Sequence, residues 1–455
     1  MPKSFSHLSL AAACLSNLNA IGYDAMTPIQ AKSLPEILKG KDLIVQAKTG
    51  SGKTAAFGLG ILAKLAPKAC RVQALVLCPT HELAEQVGAE LRRLARFLPN
   101  IKILTLCGGA PMQGQFSSLE HGAHIVVGTP GRIQKHVRKG SLQLEALRTL
   151  VLDEGDRLLD MGFYDTILDI ATAAPKNRQT LLFSATFPDR ITEMSQAVQK
   201  QAVRIAADTE HGDLSIRQLF YRVAKPARNT ALYNLLAHHQ PESTVIFCNT
   251  KQSCKDVTDY LRHKGFSVAG LHGDLDQAQR TLVFTQFANR STSILVATDV
   301  ASRGLDIADL AAVINYELSP DPELHIHRVG RTGRAGKAGL ALSLCLETQD
   351  FLIQRFEEYQ KHPVQWEELT ALTPRPGKLT PPMVTFTLNG GKKDKIRPGD
   401  ILGVLTGDAG LAGSQVGKIH IFDFCSYVAI ARDAVAAFNK WRPHGMLKGR
   451  TFTVT

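Results

Sequence analysis

The segment 47–54 (AKTGSGKT) has the residue types of a loop that binds phosphate. It follows the apolar run DLIVQ and precedes AAFGLGILAKL, so a strand is predicted to lead into the loop and a helix out of it. Glycines let backbone N–H groups approach phosphate oxygens, Lys53 can reach the terminal phosphates, and the Thr54 hydroxyl can ligate magnesium. These flanking elements argue against the alternative of a glycine-rich turn with no ligand. The predicted nucleotide contacts of this loop are Ala47, Lys48, Thr49, Gly50, Ser51, Gly52, Lys53 and Thr54.

A phosphate loop also needs groups that organise the metal and the attacking water. The run TLVLDEGDRLLD places Asp153 and Glu154 directly after an apolar strand, where sites of open α/β sheets form. We expect Asp153 to hold magnesium through water, together with Thr54, and Glu154 to polarise the hydrolytic water. An Asp-Glu pair alone is more often a solvated strand end, but the phosphate loop favours the catalytic interpretation.

The run HIHRVGRTGRAG in the second half supplies cations that could meet the charge developing on a γ-phosphate. Such arginines can contribute about a thousandfold in rate. Arg328, Arg331 and Arg334 recur every three residues and would converge if the segment is helical. A basic stripe that binds only RNA is the alternative. The predicted catalytic residues are Lys53, Thr54, Asp153, Glu154, Arg331 and Arg334.

The composition describes a basic, multidomain chain. Its 455 residues, 44% of them apolar, can bury two or three cores. The formal charge of +12 attracts a polyanion, either nucleic acid or an acidic membrane surface. Eight scattered cysteines without zinc-like spacing suggest reduced structural thiols. With no convincing secretory signal and no apolar run of roughly 20 residues, we expect a cytoplasmic protein without a membrane segment, acting as a monomer.

Short apolar runs alternate with helical periodicity twice along the chain, which predicts two parallel α/β domains. The proline-rich stretch TPRPGKLTPP indicates a linker. The remaining residues have a βαββαβ order, typical of a split-βαβ α+β module. The predicted boundaries are 1–207 and 216–365 for the α/β domains, 366–380 for the linker and 381–455 for the module.

Together these residues resemble the DEAD-box RNA helicases over almost the whole chain. The resemblance implies two RecA-like P-loop domains in tandem and an adenine-recognition motif at 5–30, where a glutamine amide reads the base edge. Residues 184–186 (SAT) match the segment that links hydrolysis to RNA binding, and 297–307 (ATDVASRGLDI) the segment that lines both ligands. The further nucleotide contacts it implies are Phe5, Tyr23, Gln30, Gly304 and Asp306.

The resemblance also implies contacts with RNA phosphate and ribose, which carry no sequence information. Each short motif is weak alone, since TPGR is an ordinary turn before a helix, but their order along the chain is specific. The RNA contacts implied in the two α/β domains are Pro79, Thr80, His81, Gly108, Gly109, Thr129, Gly131, Arg132, Asn249, Thr250, Gln277, Arg280 and Thr298.

Two positions depart from the family pattern. His81 stands where the family has arginine, so an imidazole replaces a permanent cation. We therefore expect a lower affinity for the RNA backbone. Gly155 replaces alanine in the tetrad Asp-Glu-Ala-Asp, which leaves the carboxylates in place, so activity should persist.

The C-terminal module resembles the RRM-like RNA-binding domain of one bacterial branch of the family. That resemblance implies a tether to a hairpin of large-subunit (23S) ribosomal RNA and a role in large-subunit assembly. The expected contacts are loops and helix ends more than a stacking platform, because Tyr427 is the main aromatic candidate on the sheet and Phe386 and Phe422 can equally be core. A solvated loop is the alternative for the basic run. The predicted RNA contacts here are Lys392, Lys393, Lys395, Arg397 and Tyr427.

The sequence therefore predicts an RNA-dependent ATPase that uses ATP and Mg²⁺ and separates short RNA duplexes, with pre-ribosomal RNA as partner. ATP and RNA would jointly close the two α/β domains. One alternative is an ATP-gated RNA clamp with little strand separation. Another is a nucleic-acid-binding scaffold with a vestigial nucleotide site, against which stands the full set of catalytic residues.

Overall fold

The structure is a computed structural model in which the described residues form two compact units, within 4–206 and 216–455. The described segments are 4–47, 50–109, 111–186, 189–206, 216–302, 310–333, 338–375, 380–442, 446–447 and 449–455.

The first unit is a seven-stranded parallel sheet between layers of helices. Its strands are β1 (Leu43–Gln46), β2 (Ala74–Leu77), β3 (Ile103–Leu106), β4 (Ile125–Gly128), β5 (Thr149–Leu152), β6 (Gln179–Ser184) and β7 (Val203–Ala206). Their order is β3-β4-β2-β5-β6-β1-β7. The helices are α1 (Ala12–Ala20), α2 (Pro28–Leu38), α3 (Lys53–Lys64), α4 (His81–Leu94), α5 (Met112–Glu120), α6 (Pro130–Arg138), α7 (Gly155–Asp160), α8 (Tyr164–Thr172) and α9 (Asp189–Val198). Apolar cores cover both faces of the sheet, which explains its unbroken apolar runs.

The second unit contains another parallel sheet of seven strands. They are β8 (Ile216–Val223), β9 (Thr244–Cys248), β10 (Val268–Leu271), β11 (Ile294–Thr298), β12 (Ala312–Asn315), β13 (Gly339–Leu346) and β14 (Trp366–Glu367). Their order is β10-β11-β9-β12-β13-β8-β14. The helices are α10 (Arg228–His239), α11 (Lys251–His263), α12 (Gln277–Ala288), α13 (Asp299–Ser302), α14 (Pro322–Val329) and α15 (Asp350–Gln360). The two parallel α/β sheets confirm the predicted fold class.

The sheet of the second unit extends into the stretch predicted as a linker. Trp366 and Glu367 pair with β8 as an edge strand, and the Trp366 ring lies 6.1 Å from Phe220 and under the Arg222 guanidinium. Arg375 N still donates to Ala237 O at 3.0 Å. The predicted start of the linker at 366 is therefore wrong, because a strand of two residues is too short to show periodicity while its tryptophan anchors the chain to the sheet.

The C-terminal module, also in the second unit, is a small antiparallel sheet with two helices. It contains β15 (Met383–Leu388), α16 (Pro398–Gly407), β16 (Val416–Ile421), β17 (Ser426–Ala431), α17 (Val435–Trp441), β18 (Met446–Leu447) and β19 (Arg450–Thr451). The main sheet has the order β15-β17-β16. Val454 bridges Leu388 beside β15, so the last segment of the predicted βαββαβ order reaches the sheet through that bridge.

The module packs against the residues that follow α12. The buried Asn289 donates from Nδ2 to Thr385 Oγ1 at 3.2 Å, and its Oδ1 lies 3.1 Å from His420 Nε2. Since the amide oxygen only accepts, this contact requires the proton on Nε2. Ser291 Oγ lies 2.6 Å from Thr385 Oγ1. The module and its neighbouring α/β domain thus share a partly buried polar contact.

The cysteines, all within the described segments, form no disulfide. All eight cysteines have free thiols and most are buried, as the prediction of reduced structural thiols requires. Among the helices in the described segments, none combines the length and the apolar character needed to cross a membrane.

Helices α2 and α3 are in tight contact, and this contact depends on Gly60. A Cβ at Gly60 would lie 2.1 Å from Ile37 Cγ2, whereas a Cβ at Gly114 in α5 would meet no atom within 4 Å. We expect Gly60→Ala to lower the free energy of unfolding by about 1–3 kcal/mol through overpacking. The same change at Gly114 should raise it by about 0.5–1 kcal/mol, because alanine is the better helix former. Thermal melts of the two variants test this, and an equal or higher melting temperature for Gly60→Ala would contradict it.

Candidate nucleotide and RNA sites

The phosphate loop lies at the carboxyl end of β1 and turns into α3. Gly50 and Gly52 have φ of +81° and +89°, the left-handed conformation that favours glycine. Lys48 and Thr49 lie outside the described residues. Ala47 is buried after β1, and Ser51 and Thr54 are half-buried.

Residues of the predicted adenine-recognition motif donate hydrogen bonds to the backbone of this loop. Thr27 Oγ1 donates to Ser51 O at 2.8 Å, and Gln30 Nε2 donates to Gly52 O at 3.1 Å. Gln30 Oε1 accepts from Thr27 N at 2.9 Å, so both ends of the amide are engaged with protein. A Cβ at residue 52 would lie 2.4 Å from Gln30 Nε2, hence the glycine. The structure thus shows Gln30 bracing the phosphate loop, and its contact with adenine stays a prediction.

The other residues of the adenine motif form an aromatic pair nearby. Phe5 is buried, and its ring lies 6.2 Å from that of Tyr23 in an edge-to-face arrangement. Tyr23 Oη donates to Glu90 Oε1 at 2.7 Å, and the Arg93 guanidinium lies over its ring. These contacts fix the segment before α2 to α4.

Lys53 has the environment expected of a residue that binds phosphate. It is the first residue of α3, its side chain is buried, and among the described residues its Nζ has no hydrogen-bonding partner. A buried ammonium without a partner is costly and rare. An anionic ligand would remove that cost, so the site fits the terminal phosphates of a nucleotide.

Asp153 and Glu154 follow β5, as predicted, and both are buried. Burial raises the pKa of Asp153 to about 6; Glu154 adds to the rise, while Lys53 opposes it. A divalent cation beside this carboxylate would offset the cost of its charge, so the site fits magnesium held by Asp153 and Thr54.

Glu154 is held in an unusual backbone conformation. Its φ is +52°, which costs a residue with a Cβ about 1–2 kcal/mol. Arg157 Nη1 donates to Glu154 Oε2 at 2.8 Å, with both side chains largely buried. The carboxylate therefore has a defined position. Arg157 is not among the residues predicted from the sequence, although its spacing of three residues from Glu154 could have indicated the ion pair.

Asp156 joins the carboxylate tetrad to the SAT segment. Its Oδ2 accepts from Ala185 N, Thr186 N and Thr186 Oγ1, each at 3.2 Å, and its own backbone N–H donates to Ser184 Oγ. A Cβ at Gly155 would lie 3.2 Å from Ile191 Cδ1, so glycine here relieves a tight contact. Movement of the tetrad would be transmitted directly to residues 184–186.

The three arginines do not lie on one helix, contrary to the predicted convergence. Helix α14 ends at Val329, so only Arg328 is helical, while Arg331 lies in the following turn and Arg334 is outside the described residues. Arg328 is almost fully buried, and it donates to Asp299 through Nε and Nη2, to Glu317 O and to Asn249 Oδ1. Gly330 is the C-cap of this helix. The hydrogen bonds of Arg328 therefore join separate segments of the second unit to one another.

The RNA contacts implied for the first unit gather on one half of a sheet edge. Parallel pairing brings the carboxyl ends of the adjacent strands β3, β4 and β2 to the same edge. The phosphate loop follows β1 and the acidic pair follows β5, both on the other half. The candidates that follow the first three strands are Pro79, Thr80, His81, Gly108, Gly109, Thr129, Gly131 and Arg132.

Several of these candidates also have local roles. Thr80 Oγ1 caps α4 by accepting from Leu83 N, and Arg132 Nη1 donates to Gln115 Oε1 at 2.9 Å. His81 starts α4 with Nε2 3.8 Å from Glu85 Oε1. A Cβ at Gly108 or Gly131 would meet nothing within 4 Å, so their backbones face open space.

The candidates in the second unit lie at the ends of adjacent strands or in the first turn of α12. Thr298 is the last residue of β11, and Asn249 and Thr250 follow β9. The Asn249 amide is engaged with Arg328 and with Leu318 O, and Thr250 caps α11. Thr298 Oγ1 accepts from Ala301 N, and Arg280 Nη2 donates to Ala301 O. Gln277 is the first residue of α12. Gly304 and Asp306 lie outside the described residues.

In the C-terminal module, four of the predicted RNA contacts are exposed and the fifth is buried. Lys392, Lys393, Lys395 and Arg397 are exposed on the loop before α16, as expected. Tyr427 is only 6% exposed and packs edge-to-face against Phe422 at 5.6 Å. The structure does not bring Tyr427 to the surface, so its predicted role as a base-stacking residue is not supported, and Phe386 belongs to the core.

The chain matches known families along most of its length. Residues 27–194 match the DEAD/DEAH box helicase family, 227–336 the helicase conserved C-terminal domain and 385–455 the DbpA RNA binding domain. The chain is 51% identical over 454 residues to the ATP-dependent RNA helicase DbpA of Escherichia coli, covering 99% of each. The chain belongs to the DEAD-box RNA helicases. It is thus an enzyme that hydrolyses ATP and binds RNA, as predicted.

Further relatives agree with the family and the fold. The helicase is 42% identical over 375 residues to the ATP-dependent RNA helicase CshA of Listeria monocytogenes, covering 81% of this chain and 72% of the relative. Among solved structures it is similar to S. cerevisiae Dbp5 bound to RNA and ADP BeF3, with a TM-score of 0.73, 30% identity and coverage of 81% of this chain and 96% of that one. The roles of individual site residues stay predictions.

The raised pKa of Asp153 predicts how stability depends on pH. Between its ordinary value near 4 and its folded value of about 6, the folded chain binds this proton more tightly than the unfolded chain. The free energy of unfolding should therefore fall as pH rises through this window and stay lower above it. We expect Asp153→Asn to raise that free energy at pH 7 by up to ~3 kcal/mol, and hardly at pH 4.

Melts of the protein without nucleotide or magnesium at pH 4 and pH 7 check this expectation. Asp169→Asn is the matched control, because hydrogen bonds from Arg138 and Gln134 lower the pKa of that exposed carboxyl. The control should not stabilise the protein at pH 7. A loss of stability in Asp153→Asn at pH 7 would contradict the prediction.

Proposed function

We propose that this helicase is tethered by its C-terminal module to large-subunit (23S) ribosomal RNA and remodels short RNA duplexes during assembly of the large subunit. The observation that carries this proposal is the match of residues 385–455 to the DbpA RNA binding domain, within a chain that aligns with E. coli DbpA from end to end. The same proposal includes action as a monomer in the cytoplasm, where bacterial ribosomes are assembled.

The proposed hydrolysis uses groups at the carboxyl edge of the first sheet. Lys53, buried and without a partner among the described residues, binds the terminal phosphates. Glu154, positioned by Arg157, orients and polarises the attacking water. Thr54 and Asp153 would hold magnesium, which neutralises phosphate charge when bound. Arg331 and Arg334 of the second unit are the proposed cations that meet the charge on the γ-phosphate.

The proposed coupling to RNA uses Asp156. Its carboxylate lies next to the two catalytic carboxylates in sequence and holds Ala185 and Thr186 by three hydrogen bonds. A change at the nucleotide can therefore reach residues 184–186, which resemble the family's segment that links hydrolysis to RNA binding. The implied RNA contacts follow β3, β4 and β2 on the same edge of the sheet. The groups there suit phosphate and ribose, so the motor reads backbone and the C-terminal module selects the RNA.

The tether predicts that ATP hydrolysis responds selectively to RNA. A fragment of bacterial large-subunit ribosomal RNA should stimulate phosphate release at a concentration ~100-fold lower than an unrelated RNA of equal length, because specific contacts add to backbone attraction. Lys53→Ala should abolish the stimulated release with either RNA, while the exposed Lys39→Ala should not change it. Equal half-maximal concentrations for the two RNAs would refute the tether without refuting the ATPase.

Replacing His81 by arginine, the residue that the family has at this position, should increase the affinity for RNA. His81→Arg should bind oligouridine more tightly at low salt, and the slope of log affinity against log salt should steepen by about 0.7 if one phosphate contact is added. Fluorescence anisotropy titrations at several salt concentrations measure both quantities. The control is His121→Arg, which adds the same charge at an exposed position after α5. An unchanged slope would mean that Glu85, near position 81, takes the new cation instead.

A further inference from the structure

The sheet face of the C-terminal module on which an RNA base could stack is already occupied. Thr385 on β15 and His420 on β16 lie on the face opposite the apolar core, and both contact Asn289 of the neighbouring α/β domain. Tyr427 on β17 pairs in register with His420 and points to the same face, where it is buried. Recognition of RNA by this module must therefore use another surface.

A different aromatic side chain projects from the module into solvent. Phe424, in the turn between β16 and β17, is 69% exposed, the largest exposure among the large apolar side chains of the described residues. An exposed phenylalanine gains nothing from the hydrophobic effect in the isolated protein. Its ring is free to cover an apolar or aromatic surface of a partner.

The turn that carries Phe424 is joined to the basic loop. Lys392 N donates to Phe422 O at 2.8 Å and Lys393 N donates to Asp423 O at 3.0 Å. A Cβ at Gly391 would lie 2.2 Å from Phe422 O, so only glycine allows the two segments to approach this closely. Lys392, Lys393 and Phe424 therefore form one surface of fixed geometry, which we call the basic-aromatic edge.

The charges on the basic-aromatic edge favour a polyanion. Lys392 and Lys393 are exposed, and Lys395 and Arg397 continue the positive charge along the same loop. The pair between Lys392 Nζ and Asp423 Oδ1, at 3.8 Å with both side chains more than half exposed, is a weak surface contact that a phosphate can replace. A cationic loop beside an aromatic ring is the arrangement that binds unpaired nucleotides, with phosphates on the cations and a base on the ring.

We propose that Phe424 stacks on an unpaired base of the RNA that the C-terminal module binds, while Lys392 and Lys393 contact the flanking phosphates. This inference rests on the proposed tether to large-subunit ribosomal RNA, and it assigns the aromatic contact to the turn between β16 and β17. Because the ring is exposed, its removal leaves the core of the module intact.

The test compares three variants of the full chain in binding to a fragment of bacterial large-subunit ribosomal RNA. Phe424→Ala should weaken binding by about 5-fold to 100-fold, the usual range for losing one stacked base. Phe424→Trp should retain the affinity, since its indole also stacks. Phe351→Ala is the control: it removes a phenylalanine that is 58% exposed on α15 of the neighbouring α/β domain, and it should leave binding unchanged. Equal melting temperatures establish that all variants are folded.

Each outcome distinguishes this inference from the function on which it rests. If the unaltered chain binds the fragment no better than an unrelated RNA, the tether fails and the stacking contact with it. If the unaltered chain is selective but Phe424→Ala binds equally well, the tether stands and the stacking contact is refuted. Equal weakening by Phe424→Ala and Phe424→Trp also refutes it, because the contact would then depend on the shape of phenylalanine and not on an aromatic face.

Discussion

The parallel pairing of strands is the constraint on which the rest of this helicase depends. Parallel strands bring all their carboxyl ends to one edge of the sheet, so residues far apart in sequence meet there. In the first unit the order β3-β4-β2-β5-β6-β1-β7 divides that edge into two halves. The phosphate loop and the carboxylates follow β1 and β5, and the implied RNA contacts follow β3, β4 and β2. Asp156, bonded to the SAT segment after β6, connects the nucleotide residues across adjacent strands.

The nucleotide site concentrates buried charge at a cost to stability. Lys53 has a buried ammonium without a partner among the described residues, the pKa of Asp153 is raised by burial, and Glu154 has a left-handed backbone. Each of these features is unfavourable by itself, and a bound phosphate and metal would offset the cost of the buried charges on Lys53 and Asp153. Arg328 differs, because its buried guanidinium is neutralised by Asp299 within its own unit. Burial of Arg328 therefore serves the internal structure of the second unit.

In the C-terminal module, packing covers the sheet face on which an RNA-recognition domain could stack a base. Its sheet carries Tyr427 where an RNA-recognition domain could stack a base, yet Thr385 and His420 on that face bond to Asn289. Burial lowers the pKa of His420, and the hydrogen bond to the Asn289 amide oxygen requires a proton on Nε2. The covered face fixes the module against one α/β domain.

The sequence by itself determined the two parallel α/β domains, the phosphate loop and the acidic pair, because apolar runs and glycine spacing are local properties of the chain. It could not show that Gln30 braces Gly52, that Arg157 positions Glu154, or that α14 ends before Arg331. Only the tertiary structure decided these points, together with the edge strand at Trp366 and the burial of Tyr427. The reason is physical: hydrogen bonds between distant segments and the covering of a surface depend on packing, which leaves no periodic pattern in the residues concerned.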